Sequence, residues 1–286
     1  MFTRVLVATD LSPGAEKLLV CLEELKHLGT EELVLVWVTE GDPDDPALRK
    51  RQTEQLDQLE REKEQLETMG FTVMVSAPMG RPAEGIVQAA HDHSASLILI
   101  SSRGRNTFRD LFLGSTVSDV IRLTDIPTLI ERVERFEELE MEACRLAYQR
   151  KFERVLLATD FSEAAHDAEA LMKQLASHAQ KVIVTSVVDR GSTEQEVERH
   201  LREVGQRLQQ VKTSLARWGA STVEIYPRIG IASNSIIQVA EQEDVTLIVM
   251  GTRGRGRLGG LYLGSTAEAV ARRSRRPVLL MPFPRN

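Results

Sequence analysis

The chain repeats itself, and that limits its possible folds more than any other property. RVLVATDLS at residues 4–12 returns as RVLLATDFS at 154–162, 150 positions later. LILISSRGRNTFRDLFLGSTVSDVIRLTDIPTLI at 97–130 returns at the same offset as LIVMGTRGRGRLGGLYLGSTAEAVARRSRRPVLL at 247–280, with 14 identities in 34 positions. That offset also aligns Val38 with Val188, Gly80 with Gly230 and Ile86 with Ile236. A period this long exceeds any solenoid unit and fits the copying of a whole domain. The expected organisation is one domain over residues 1–135, a connector at 136–151 and a second domain over 152–286.

Each half alternates strand-like and helix-like segments. VLVAT is a short apolar run followed by Asp10, Ser12 and Pro13, which is the chemistry of a turn and a helix start. Leu18, Leu19, Leu22 and Leu25 recur at helical spacing, with Gly29 placed to end that helix. LVLVWV, FTVMVS, LILIS and PTLIE supply further strands. Helices are expected over 48–69, near 82–94 and over 115–124. Near-continuous apolar strands joined by helices predict a parallel sheet buried on both faces, the α/β class. In the second half Val197, Leu201, Val204, Leu208, Val211, Leu215 and Trp218 follow a 4-3 spacing. That spacing fits a coiled-coil seam, but here it favours a helix laying an apolar stripe on the sheet. The connector at 136–151 is charged, lacks Gly and Pro, and is expected to be helical.

Composition removes several classes. With 42% hydrophobic residues and a net charge of −6, the chain has enough apolar surface to bury a core and is not disordered by composition. The longest apolar run, Leu33 to Val38, is far short of the roughly 20 residues of a membrane span. Strand-like sequence from Arg4 leaves no space for a signal peptide, and Cys21 and Cys144 suggest neither a metal site nor a disulfide framework. A cytoplasmic protein is expected, with no membrane partner.

Chemistry concentrates after the fourth strand of the second half, in MGTRGRGRLGGLYLGSTAEAV from Met250 to Val270. Gly251, Gly254, Gly264 and Ser265 form G-x2-G-x9-G-S. An apolar strand delivers the chain to the carboxyl edge of a parallel sheet, where α/β proteins bind ligands. Glycines permit close backbone approach to a ligand. Gly264-Ser265-Thr266 then opens a helix whose first amides are unpaired and whose dipole favours an anion. Ser265 and Thr266 add hydroxyls, and Arg253, Arg255 and Arg257 add guanidinium groups suited to phosphate. Residues 251–286 hold eight Arg, no Lys and one Glu, so this segment carries +7 against −13 elsewhere. Nucleic acid is the rival partner for such a charge, but aromatic interleaving is sparse. Arg272, Arg273, Arg275 and Arg276 moreover cluster at a helix C-terminus, where cations are favoured anyway. Gly80 to Gly85 has Walker-like glycine spacing but no following Lys. His91 and His93, two apart, lie on different faces of a helix and form no metal pair. No nucleophile–base constellation is visible.

These residues resemble the universal stress proteins, and the resemblance covers essentially the whole chain twice, as in a tandem member. It rests on a first strand ending in Asp (VATD and LATD), a second strand ending near a Val, the glycine loop, and a closing strand of PVLL type. The resemblance implies two Rossmann-like domains of the adenine nucleotide alpha hydrolase-like kind, each a five-stranded parallel sheet flanked by helices. It implies a stress-response protein that binds ATP or AMP, with Mg2+ or Mn2+ as a candidate companion of the phosphates. Carried over residue by residue, Thr159 and Asp160 would lie by the adenosine and Val188 would meet the adenine through its backbone. Met250, Gly251, Arg253 and Gly254 would line the ribose and α-phosphate, and Gly264, Ser265 and Thr266 would hold the remaining phosphates. Asp160 has a second reading, as a residue complementing a helix N-terminus, and both can hold.

The first half retains Thr9, Asp10, Val38, Arg103, Gly104, Gly114, Ser115 and Thr116. It replaces the first loop glycine with Ser101, and Gly259 and Gly260 with Arg109 and Asp110. Ser101 is expected to crowd a ligand or forbid a backbone angle, so the first site is expected to be the weaker. Family homodimers join through their last strands, so Pro127–Ile130 and Pro277–Leu280 are candidates to pair within one chain, with a homodimer as a further possibility. Two alternatives stay open: a weak ATPase or phosphotransferase, and an interaction module whose loop binds no nucleotide.

Overall fold

The computed structural model describes residues 1–12, 15, 18–19, 21–41, 44–102, 113–132, 150–188, 193–253 and 263–282. The chain divides into two compact units, Met1–Gln149 and Arg150–Asn286. Most of the connector expected at 136–151 lies outside the described residues; Arg150 and Lys151 form a turn.

In the first unit the strands are β1 (Arg4–Ala8), β2 (Glu32–Val36), β3 (Thr72–Ser76), β4 (Leu97–Ser101) and β5 (Thr128–Glu131). Between them lie a 3-10 helix (Cys21–Leu28), α1 (Pro46–Thr68), α2 (Pro82–Asp92) and α3 (Ser115–Leu123). The strands pair in the order β3-β2-β1-β4-β5, all parallel. Val5, Leu6, Val7 and Leu97 to Leu99 are fully buried, as strands covered on both faces require. The leucine-rich segment after β1 is helical at Leu18 and Leu19 but becomes a 3-10 helix from Cys21. It still buries Leu22 and Leu25 completely. Helix α1 starts as its sequence dictates: Pro46 occupies the first turn, and the Asp45 carboxylate accepts the Ala47 N–H at 2.8 Å.

The second unit repeats this plan with β6 (Arg154–Ala158), α4 (Glu163–Leu175), β7 (Lys181–Val188), α5 (Glu194–Arg217) and β8 (Val223–Ile229). It continues with α6 (Ala232–Gln242), β9 (Leu247–Gly251), α7 (Ser265–Arg273) and β10 (Val278–Met281). Its strand order is β8-β7-β6-β9-β10, again all parallel. The order reverses between β6 and β9, the switch point at whose carboxyl ends open α/β sheets form a ligand crevice. Helix α5 packs on β7 and β8. Within its 4-3 stripe Leu208 and Leu215 are buried while Trp218 is 58% exposed, so the stripe covers the sheet only along its middle. Among the described residues, no helix is long and apolar enough to cross a membrane.

The pairing corrects one part of the repeat. Arg4 pairs with Glu32, and its counterpart Arg154 pairs with Lys181, so the second unit is one residue shorter between its first two strands. Gly80 N–H bonds to the Thr39 carbonyl, and Gly230 N–H to that of Val188, both at 3.0 Å. Thr39, not Val38, therefore occupies the place of Val188. The offset returns to 150 at β3 and β8, where Leu33 pairs with Val73 and Val182 with Val223. A gapless comparison hides two compensating one-residue changes.

Candidate functional site

In each unit the turn after the first strand begins with Thr-Asp. Thr159 N–H continues the ladder by bonding to the Thr185 carbonyl at 3.0 Å. Its hydroxyl accepts the Phe161 N–H at 3.0 Å and donates to Glu169 Oε1 at 2.8 Å. Asp160 Oδ1 accepts the N–H and the hydroxyl of Ser162 at 3.0 and 2.6 Å. Ser162 in turn caps α4 through the Ala165 N–H. Asp160 is thus built into the start of a helix, and the Thr159 hydroxyl into the turn itself. Phe161 sits between them with a φ of 59°, a left-handed conformation disfavoured for a residue with a Cβ.

The first unit builds the same turn, with the Thr9 hydroxyl accepting the Leu11 N–H at 3.0 Å and Asp10 Oδ1 accepting the Ser12 N–H at 3.1 Å. Asp10 Oδ2 is buried and finds no hydrogen-bond partner among the described residues. Val38 is half-buried and packs its methyl groups toward Gly85 of α2.

Across the switch point, β9 ends at Gly251, and Thr252 bonds the Met281 carbonyl at 2.8 Å. The chain leaves through half-buried Arg253 and returns at Gly264, whose N–H closes on the Thr252 carbonyl at 2.8 Å. The ends of the long spacer are therefore stapled together, which sets the start of α7 beside the carboxyl end of β9. Gly114 N–H closes on Ser102 in the same way at 3.0 Å. Gly104, Gly254, Arg103, Arg255, Arg257, Arg109 and Asp110 fall outside the described residues, as do Gly259 and Gly260.

The helix caps carry the chemical signal. Gly264 is the N-cap of α7 and Gly114 that of α3, and neither end has a side-chain cap. Their φ values, −64° and −57°, are ones any residue adopts. A Cβ on Gly114 would meet nothing nearer than the Ser102 carbonyl at 3.6 Å. Backbone geometry requires a glycine at neither cap, yet Ser, Thr, Asp or Asn would cap either better. At Gly264 the absence of a side-chain cap leaves the first turn flanked by exposed Ser265 and half-buried Thr266. Ser115 and Thr116 border the first unit's cap in the same way.

Two expectations change. Ser101 and Gly251 are both strand residues without a positive φ, so Ser101 forbids no backbone angle; only its side chain distinguishes the positions. The Met250 side chain is buried within β9, so it is not an exposed lining residue of the edge. Val188, 8% exposed, ends β7 with its carbonyl taken by the Gly230 N–H.

Two arginines of the basic tail pair with carboxylates among the described residues, and a third bonds a neutral amide. Arg272 pairs with Glu268 at 3.2 Å, Arg276 with Asp244 at 2.8 Å, and Arg273 bonds Asn234 at 2.7 Å. Among the described residues, no group of three His, Cys, Asp or Glu could hold a metal ion, and His91 pairs with Asp125 at 3.1 Å. Sequence reasoning missed Glu169, Phe161 and Arg207. Phe161 and Glu169 are eight residues apart, but Arg207 is distant in the chain and meets Phe161 only because α5 packs beside the start of α4.

Comparison with known proteins is consistent for both halves. The family model described as "Universal stress protein family" matches residues 1–132 and 151–282. Universal stress protein MJ0577 of Methanocaldococcus jannaschii is 27% identical over 153 residues, spanning 46% of this chain and 94% of that protein. Universal stress protein MJ0531 of the same organism is 32% identical over 147 residues, 47% of this chain and 84% of that protein. The crystal structure of a universal stress protein from Archaeoglobus fulgidus covers 99% of both chains with a TM-score of 0.71 at 24% identity, a likeness of fold.

Proposed function

The chain belongs to the universal stress protein family, and from that premise we propose that its second unit binds an adenine nucleotide, ATP or AMP, in a stress-response role. The bare glycine cap of α7 carries this reading. Gly264 forgoes a side-chain cap in a backbone conformation that would accept one, so no cap side chain competes for the first-turn amides at the positive end of the helix dipole, where an anion is favoured. Phosphate oxygens would take those amides and the hydroxyls of Ser265 and Thr266, with the Arg253 guanidinium at the other end of the stapled loop. The sugar and base would extend along the switch point, over the backbone of Gly251 and Gly254 toward Asp160 and the backbone of Val188. The buried faces of Thr159 and Met250 support this edge from below.

The roles these residues would take are those of binding a phosphate and orienting a nucleotide. A divalent cation would come with the phosphates, since among the described residues no group of three His, Cys, Asp or Glu could hold one and the cap offers hydroxyls.

The test is direct. The native chain should release ATP or AMP on denaturation, identified by mass spectrometry, and the emptied protein should bind it with measurable heat. Protein purified under mild conditions that carries no nucleotide, and takes up neither ATP nor AMP by calorimetry, would sink the reading.

A further inference from the structure

Arg207 lies on α5, far in sequence from the Thr159–Asp160 turn, yet it closes on that turn from outside. Its guanidinium carbon stands 4.1 Å from the centroid of the Phe161 ring, and its Nη2 donates to the Phe161 carbonyl at 3.4 Å. Phe161 is 9% exposed and holds a left-handed φ of 59°, a conformation that persists only where surrounding contacts impose it. Those contacts come from two sides. Thr159, tied to Glu169 of α4, receives the Phe161 N–H; Arg207 of α5 holds the ring and the carbonyl. Phe161, Glu169 and Arg207 border an open cleft of about 260 Å³ between α4 and α5, whose wall also includes Lys173, Gln210 and Ser214.

We propose that Arg207 is a positioning residue for the nucleotide site: by clamping Phe161 it fixes the backbone that presents Asp160 at the sheet edge. This inference rests on the nucleotide reading above. The first unit supplies the internal comparison. Its Leu11 adopts the same left-handed turn, with a φ of 53°, but offers no π face to a cation. Aligning buried Leu59 with buried Leu208 puts Gln58 where the second unit has Arg207, and Leu19 occupies the place of Glu169. The turn itself is therefore common to both units, and the aromatic–guanidinium clamp belongs to the second.

The clamp acts on population. A guanidinium over an aromatic face is a modest attraction at a partly exposed site, so its loss leaves the fold intact and lets the turn visit other conformations. A ligand that needs one conformation then binds more weakly in proportion to the lost population.

The experiment uses the full chain with ATP and AMP as probes. Calorimetry on Arg207→Met should show affinity weakened roughly three- to tenfold. Arg207→Lys, which keeps the cation, should retain most of it. Phe161→Leu should weaken binding to a similar degree, and the double variant should be no worse than either single one, because both remove the same contact. An independent readout needs no nucleotide: Arg207 side-chain proton resonances should be shifted upfield by the Phe161 ring and should lose that shift in Phe161→Leu. Wild-type affinity in Arg207→Met would overturn the clamp even if nucleotide binds. A wild-type chain that shows the ring-current shift but binds neither nucleotide would overturn the parent reading, and the role of Arg207 with it.

Discussion

Two glycines in helices show how differently one residue type can be used. In α2, a Cβ on Gly85 would come within 2.9 and 3.0 Å of the two Val38 methyl groups and 3.5 Å of the Pro78 ring. Val38 is β-branched and stiff at χ1, so it cannot swing aside cheaply. Gly85→Ala should destabilise the first unit by about 1–3 kcal/mol, the cost of overpacking. A methyl group added at Gly205 of α5 would meet nothing within 4 Å, and only the backbone freedom of this glycine opposes the helix. Gly205→Ala should therefore stabilise the second unit by about 0.5–1 kcal/mol. Thermal unfolding of both variants checks the pair, with opposite shifts expected in separate transitions of a two-unit chain. Neither sign is legible in the sequence, where both positions are simply glycines inside helical patterns. The difference lies in what the tertiary fold places against them.

At the scale of elements, strands β7 and β8 and helix α6 meet in a polar network. Lys181 Nζ pairs with Glu224 at 2.7 Å and Glu243 at 2.9 Å, and the Tyr226 hydroxyl bonds both carboxylates, at 2.9 and 2.6 Å. Arg154 donates to the Glu243 backbone carbonyl. Hydrogen bonds from Tyr226 and then Lys181 hold the Glu243 carboxyl below the usual carboxylate range, and those from Lys181 and then Tyr226 do the same for Glu224. Burial pulls the Lys181 ammonium down, but its hydrogen bonds to the two carboxylates outweigh it and leave the group raised. The signs then set a pH window. Both carboxylates stabilise the fold above their unfolded values near 4.3 and lose that contribution as pH falls through the depressed folded values. Lys181 contributes below about 10.4 and loses its contribution only as pH rises through its raised folded value. Glu243→Gln should cost on the order of 1 kcal/mol at pH 7. It should also flatten the fall in melting temperature between pH 5 and about 2, because a titrating partner has been removed. A scan showing the same acid slope in wild type and variant would contradict this. The elements themselves were largely legible: apolar runs marked the buried strands, and expected helices at 48–69, near 82–94 and over 115–124 became Pro46–Thr68, Pro82–Asp92 and Ser115–Leu123. What periodicity could not supply was register, since a one-residue deletion before β7 leaves every apolar run intact while moving Thr39 into the place of Val188.

At the scale of the whole molecule, duplication gives two copies of one turn-and-cap arrangement whose surroundings have diverged. Both keep the Thr-Asp turn, the stapled loop and the bare glycine cap. The first carries Ser101 for Gly251, Leu19 for Glu169 and Leu11 for Phe161. The repeat made the copies visible and the loop substitutions pointed to asymmetry, but the helix-borne differences appear only when α4 and α5 are seen together. The caps provide a test that folding does not confound. Aspartate is among the best N-cap residues, and the φ of −64° at Gly264 accepts it without strain, so Gly264→Asp should fold as well as wild type or slightly better. The same carboxylate would take the first-turn amides as a side-chain cap and repel phosphate oxygens. Gly264→Asp should therefore weaken adenine nucleotide binding by roughly 10- to 100-fold, about 1.4–2.7 kcal/mol. Gly114→Asp, equally compatible with its φ of −57°, should change total nucleotide binding little if the second unit is the principal site. Calorimetric titration of both variants, with melting temperatures recorded alongside, separates binding from folding. Equal losses in the two would make the copies equivalent; loss in Gly114→Asp alone would reverse their ranking. Loss in Gly264→Asp alone, with an undiminished melting temperature, would place the working phosphate cradle at the start of α7.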